Sequence, residues 1–297
     1  MLRSPWFKLM LFKLMALKLL RLSAIMLIAG FIGATLMRIA PGFTSDEQQL
    51  NSNLSAQSLQ AIRQVRLANS DLPRFYLRYL GGLARGDLGV SQSLNQPVQE
   101  LLRERLPVTL RSLAVALMLA WILGLSLAAA TRLSGSPAFT LTADGLSGTL
   151  ISTPAAVLAL VFVVLRWPPV LAAGLLIFPK IYRYCCNLLQ QSYDLPHILT
   201  AQAKGAGPWR VLARHVAPTA MPQLLALMGV SISIAIGVLL PIEVICDVPG
   251  IGQLAWQAAE ARDLPLLVNL TLVVTLLIVC ATTLSDLARQ GFNREAA

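Results

Sequence analysis

The chain has 297 residues, of which 56% are hydrophobic and only 13% charged, with a mean hydropathy of +0.67. Soluble domains run about 45–50% apolar and about 25% charged, so this composition excludes an ordinary soluble protein and points to a membrane-embedded one. The net charge is +10, from 24 Lys and Arg against 14 Asp and Glu, and only its distribution can separate a nucleic-acid binder from a membrane protein with basic cytoplasmic loops.

Residues 1–21 form a basic flank with Arg3, Lys8, Lys13, Lys18 and Arg21 and no acid. The three lysines step by five and so spread around a helix rather than marking one face. No small-residue cleavage site follows, so residues 22–40 read as an uncleaved first membrane helix ended by Arg38, Pro41 and Gly42. Residues 41–106 form an extracytoplasmic insert of short amphipathic helices, broken at Gly81-Gly82 and at the GDLG of residues 86–89.

The core, residues 107–290, carries the remaining apolar runs, with a short tail at 291–297. A spanning helix needs about 20 mostly apolar residues. Leu113–Thr131 gives the second span and Leu146–Leu165 the third. Val170–Leu189 is read as the fourth although it holds Pro179, Lys180 and Arg183; Leu224–Ile242 is the fifth and Leu266–Leu284 the sixth. Six spans is the reading, and five if Val170–Leu189 does not cross.

Between the fourth and fifth spans lies TAQAKGAGPWRVLARHVAPTAMP, residues 200–222, within a loop of residues 195–222. Ile198–Lys204 reads as a helix with Gly205 and Gly207 as stop signals. Pro208 fits the first turn of a short helix to Val216, and Pro218 and Pro222 then end it. This loop carries Lys204, Arg210 and Arg214, whereas residues 246–265 hold only Arg262 against Asp247, Glu260 and Asp263. Positive charge collects in the cytoplasm, so both termini and the 195–222 loop are placed there. The basic excess is topological and implies no nucleic acid.

Catalytic patterns are missing: there is no GxxxxGK[ST], HExxH or GxSxG. Two histidines, His197 and His215, give no metal cluster. Cys185, Cys186, Cys246 and Cys280 form no CxxC pair and read as small buried hydrophobes. Lys180 and Arg183 lie on one face of the fourth span, where they either snorkel to the surface or line a polar pathway. Glu243 joins them as a pathway candidate, although it and Asp144 fall near span ends where a capping role fits as well.

The loop at 195–222 resembles the cytoplasmic EAA-type coupling loop of permease subunits of ATP-binding-cassette importers, in particular the dipeptide/oligopeptide/nickel branch. The resemblance rests on Ala201, Ala203, Lys204 and Gly205, then Val211, Leu212, Arg214 and His215, then Ala220 and Pro222, with Gly207 between. PIEVICDVPGIGQL resembles a further family segment through Glu243, Pro249, Gly250, Ile251 and Gly252. RYLGGLARGDLGVS, ERLPVTLRSLAVAL and LMRIAPG resemble others in the expected order. This sequence departs from the pattern at Leu199, at Cys186 where a second arginine is expected, and in the link of residues 166–169, where the family carries a sizeable loop.

The resemblance implies an all-α integral membrane protein of about six transmembrane helices with the type I ABC importer permease fold. It implies an inner-membrane permease for peptides or similar small solutes, with no ATPase of its own and no cofactor or metal on this chain. Separate ATPase subunits would carry ATP and Mg, a second and different permease subunit would complete the pore, and an extracytoplasmic solute-binding protein would deliver the solute. A stand-alone secondary transporter or channel is the competing class, and mid-span carboxylates would favour it.

Overall fold

Helix α1 (Val98–Ser134) is the first long element of the computed structural model, which describes residues 85–295 together with positions 28, 35, 81 and 82. The expected flank at 1–21, first span at 22–40 and most of the 41–106 insert lie outside the described residues, as do the last two residues of the tail. Helix α1 contains the second span and starts well before the expected core boundary at 107, with Pro107 inside it. After it come α2 (Pro137–Ser152), α3 (Ala155–Val164), α4 (Pro169–Tyr193), α5 (Pro196–Ala203) and α6 (Pro208–Val211). A π-helical turn at Leu212–Val216 leads into α7 (Ala217–Ile245), followed by α8 (Ile251–Glu260) and α9 (Leu264–Glu295).

Three stretches among the described residues are long and apolar enough to cross a membrane: Val98–Ser134, Pro208–Ile245 and Leu264–Arg289. They hold the expected second, fifth and sixth spans. The third span is not one helix. Helices α2 and α3 meet at a 91° bend, with Thr153 extended at φ −75°, ψ 123° and Pro154 starting α3. A proline drives the residue before it out of the helical region and lacks an amide, which accounts for the break. The Ser152 hydroxyl donates to the Gly148 carbonyl at 3.0 Å and Thr153 donates to Thr149 at 2.9 Å, so carbonyls freed by the break stay satisfied.

Helix α4, read as the fourth span, does not reach that apolar standard. It is the central helix of the unit formed by Arg105–Leu254 and Leu277–Ala297, and it packs on α2, α3 and α7. Its buried face includes Ala172, Ala173, Gly174, Ile177, Ile181 and Tyr182. Small residues allow close approach: a Cβ on Gly124 of α1 would stand 2.9 Å from Ile181. Arg183 is exposed and Lys180 half-buried, so both charges stay off the buried face of α4, which carries no ionised side chain. Trp121 of α1 donates its indole N–H to the Ser231 hydroxyl of α7 at 3.0 Å.

Four helices stop in the same way. At Arg166, Gly205, Asp247 and Arg262 the chain turns left-handed, with φ of 56°, 81°, 53° and 55°. In each, the next residue's amide reaches back to the carbonyl five before it: Trp167 to Phe162 (2.9 Å), Ala206 to Ala201 (3.2 Å), Val248 to Glu243 (2.9 Å) and Asp263 to Ala258 (2.8 Å). This is the Schellman cap. The Phe162 and Trp167 rings, 5.5 Å apart and edge to face, supply the apolar contact that accompanies it. The cap at Arg166 and the pair Pro168-Pro169 explain how the 166–169 link stays so short.

In the second unit, Met1–Glu104 with Ala255–Leu276, Asp263 caps the start of α9. Its carboxylate is 1% exposed. One oxygen accepts the Leu266 amide at 3.1 Å. The other accepts the hydroxyls of Ser91 (2.5 Å) and Ser93 (2.9 Å) and the Ser93 amide (3.0 Å). Asn269 adds a bond from its amide to the Leu88 carbonyl at 2.9 Å. The GDLGVSQS segment is therefore pinned to the head of α9 by side chains 170 or more positions away in sequence.

Candidate functional site

The 195–222 loop is built from two short helices around one glycine corner. Helix α5 ends where Gly205 turns left-handed; its amide donates to Gln202 at 2.9 Å and the Ala206 amide to Ala201 at 3.2 Å. Gly207 plays a different part from the stop signal expected of it. It is the N-cap of α6 at φ −62°, ψ 152°, and its carbonyl accepts the Val211 amide at 3.0 Å. Pro208 occupies the first turn, where a missing amide costs nothing.

Pro218 and Pro222 do not end the short helix before the membrane, as the sequence suggests they would. Residues 208–245 run on continuously through the π turn, in which the Ala217 amide bonds Leu212 five residues back. The widened turn makes room for Pro218, whose ring would otherwise press on a preceding carbonyl. The two prolines therefore shape the junction without interrupting it. Hydrogen-bonded helix, rather than a loop, therefore joins α6 to the fifth span.

The inward side of the loop is apolar and closed: Ile198, Val211, Leu212, Val216 and Ala220 are buried. Its outward side is not covered. Trp209 is 67% exposed and Leu199 52% exposed, and Ala203, Lys204, Arg210 and Arg214 are exposed beside them. Ala201 and His215 are half-buried, as is Pro222. Of the residues singled out in this loop, Val211, Leu212 and Ala220 hold it to the bundle, while Ala203, Lys204, Gly205, Gly207 and Arg214 face outward.

The second motif, PIEVICDVPGIGQL, folds into a tight corner between α7 and α8. Glu243 is 1% exposed. Its Oε2 accepts the Gly252 amide at 2.7 Å, and the Thr109 hydroxyl of α1 accepts the Ile251 amide at 2.8 Å. Two of the amides that a helix start leaves without internal partners are thus capped by remote side chains, one of them an acid at the positive end of the helix dipole. Glu243 Oε1 is buried with no hydrogen-bond partner. Gly250 and Gly252 are there for space: a Cβ on Gly250 would run into the Glu243 carboxylate, and one on Gly252 into the Leu240 carbonyl. Pro249 is exposed on the outside of the corner. Gln253 ties the rim, donating to Asp247 and accepting from Arg105 at 2.9 Å.

Glu243 and Arg183 sit in different settings. Glu243 is locked under α8. Arg183 donates from Nε to the Ser147 hydroxyl of α2 at 3.2 Å and lines a polar cleft with Arg132, Asp144, Tyr182, Cys186 and Asn187. Neither Lys180 nor Glu243 lines that cleft. Among the cysteines only Cys185 is buried, and Cys280 is exposed, contrary to the expectation of four buried thiols. No cluster of metal-ligating side chains occurs among the described residues. Sequence reasoning missed Thr109, Arg105 and Arg132, whose partners lie 142, 148 and 58 positions away. The ERLPVTL motif was the available signal for the first two.

Residues 122–296 match the family described as binding-protein-dependent transport system inner membrane component. A peptide permease protein of Brucella ovis is 29% identical, the match covering 85% of this chain and 89% of that protein. The oligopeptide transport system permease protein OppB of Escherichia coli K12 is also 29% identical, over 80% of this chain and 84% of its own. In three dimensions the chain is similar to a chain of the MetNI methionine ABC transporter in an inward-facing form, with a TM-score of 0.59 at 16% identity, over 65% of this chain and 96% of that one. That likeness carries the fold, the all-helical type I arrangement. The chain belongs to the binding-protein-dependent transport system inner membrane components, and it is a permease subunit of an ABC importer.

Proposed function

We propose that this permease imports peptides or similar small solutes, and that separate ATPase subunits drive it through the short helix α6. The observation that carries the reading is the two-sided build of the 195–222 loop. An apolar side is sealed against the bundle, while Trp209, Leu199 and three basic residues stand outward with nothing over them. A loop this ordered, with its hydrophobic residues exposed, has the make-up of a docking surface. ATP and Mg bind on the partner ATPases, and this chain holds no cofactor. The peptide permeases among its relatives support the solute class.

The working unit is this chain paired with a second, different permease subunit, two ATPases and an extracytoplasmic binding protein. Both termini and the 195–222 loop face the cytoplasm of a bacterial inner membrane, by the charge asymmetry between that loop and residues 246–265. Closure of the ATPase pair would shift α6, and the continuous helix 208–245 would carry the shift into the membrane.

The test is co-purification of the chain with its ATPase and uptake of a labelled peptide, in the natural protein and in Gly205→Val. A β-branched side chain is strongly disfavoured in the left-handed region that Gly205 occupies, so assembly or ATP-dependent uptake should fall by about tenfold. Unchanged assembly together with unchanged uptake would remove the coupling assignment. Uptake of no peptide by an assembled, ATP-hydrolysing complex would remove the solute class alone.

A further inference from the structure

The cleft between the C-terminal part of α1, helix α2 and the second half of α4 is not used by the function proposed above. Its volume is about 340 Å³, and its walls are polar: Thr131, Arg132, Thr140, Asp144, Arg183 and Asn187, with Tyr182 and Cys186. Asp144, the one acid, is engaged: its Oδ1 accepts the Tyr182 hydroxyl at 2.9 Å. The two arginines are only partly engaged, each by a neutral partner. Arg183 donates from Nε to Ser147, and Arg132 donates to the side-chain oxygen of Gln190. Arg132 Nε is buried and has no acceptor. Neither guanidinium has an ion-pair partner among the described residues.

Two arginines against one occupied carboxylate leave the cleft with a net positive charge. A buried guanidinium N–H without an acceptor is an unmet hydrogen bond of the costly kind. Arginine's planar fork suits phosphate oxygens, and a basic hollow between membrane helices suits an anionic headgroup. The Thr131 and Thr140 hydroxyls already donate to the Ala128 and Ser136 carbonyls, so the exposed side-chain amide of Asn187 is the further donor the cleft offers to phosphate oxygens. We propose that this cleft is a binding site for a phosphate group, held by Arg132 and Arg183 and presented by an anionic phospholipid of the bilayer. On the sidedness given above, that lipid lies in the inner leaflet.

The site is tested on the purified transporter complex by native mass spectrometry after exchange from nanodiscs of phosphatidylglycerol mixed with phosphatidylcholine. A parallel arm adds inorganic phosphate and follows the melting temperature. Phosphatidylglycerol should be retained over phosphatidylcholine, and Arg132→Gln with Arg183→Gln should lower retention about tenfold, the effect of losing charge-assisted hydrogen bonds. Arg132→Lys with Arg183→Lys, which keeps the charge and loses the fork, should restore part of it. Equal retention in the natural and glutamine forms overturns the proposal. So does a rise in melting temperature with inorganic phosphate that matches the lipid's effect, because the ligand would then be a free anion. The readout is binding, so a failed peptide-uptake assay leaves it standing, and a failed lipid assay leaves the transport reading standing.

Discussion

The corner at Gly205 and the corner at Gly250–Gly252 both follow a helix closed by a Schellman cap, yet their glycines answer different demands. At Gly205 the demand is conformational: φ is 81° and a Cβ there would meet nothing within 4 Å. At the other corner the left-handed residue is Asp247, not a glycine. The glycines there lie under the Glu243 carboxylate and the Leu240 carbonyl, where a Cβ would have no room. One corner is open at its glycine, and backbone bonds close its turn. The other is buried and held by side chains. An open corner can reorient against a partner, whereas a buried one fixes two helices to each other.

The largest effect should come from breaking the buried corner at its anchor. Glu243→Ala removes the acceptor of the Gly252 amide and leaves a cavity beneath α8. An unmet buried donor and the lost packing together should cost about 3 kcal/mol, read as a drop in the melting temperature of the detergent-solubilised complex. A drop no larger than that of an exposed-site control would mean that α8 is held by something other than Glu243.

The second effect sharpens the reason for the glycine. Gly250→Ala should cost about 2 kcal/mol through overpacking against Glu243. In the Glu243→Ala background the obstacle has gone, so the same change should be close to neutral, a coupling of about 1–2 kcal/mol. Gly252→Ala should keep most of its cost, because the Leu240 backbone remains in the way after the Glu243 carboxylate is gone. If the two glycines behaved alike in the double variants, the spatial explanation would fail.

What could be read in the sequence divides along the same line. The corner at Gly205 was legible because its determinants are local: a glycine after a helix, then a proline at the first turn of the next. The spans at Leu113–Thr131, Leu224–Ile242 and Leu266–Leu284 were legible because lipid imposes a long apolar run. The break at Thr153-Pro154 was hidden inside such a run, since the hydroxyls that satisfy it are as compact as the apolar residues around them. The continuity through Pro218 and Pro222 was hidden because a π turn has no sequence signature comparable to a proline. Thr109, Arg132 and Asp263 gained their roles from partners remote in sequence, and no spacing rule connects them; Glu243 caps an amide nine residues on, the role its place near a span end had offered.

The third effect is smaller. Gly205→Ala introduces only left-handed strain, about 1 kcal/mol, with no collision. The melting temperature should scarcely move, because the last turn of α5 can fray independently of the bundle. Hydrogen exchange at the amides of Gly205 and Ala206 should quicken instead. A melting change as large as that of Gly250→Ala would show that the open corner is as integral to the fold as the buried one.

The smallest effect has the opposite sign. Arg166 closes α3 in the left-handed region at φ 56°, a conformation that a side-chain-bearing residue adopts at a cost of about 1–2 kcal/mol and glycine adopts freely. Arg166→Gly should therefore stabilise the complex, though by less than that cost, because glycine also loses more chain entropy on folding. A gain of about 0.5–1 kcal/mol is expected, a rise of a degree or two in melting temperature. The cap's own bonds, Arg166 to Val163 at 3.1 Å and Trp167 to Phe162 at 2.9 Å, are backbone bonds and survive the change. A loss of stability would mean that the arginine side chain does work at the membrane surface that outweighs its backbone strain. The short link between α3 and α4 would then be held by charge as well as by its cap.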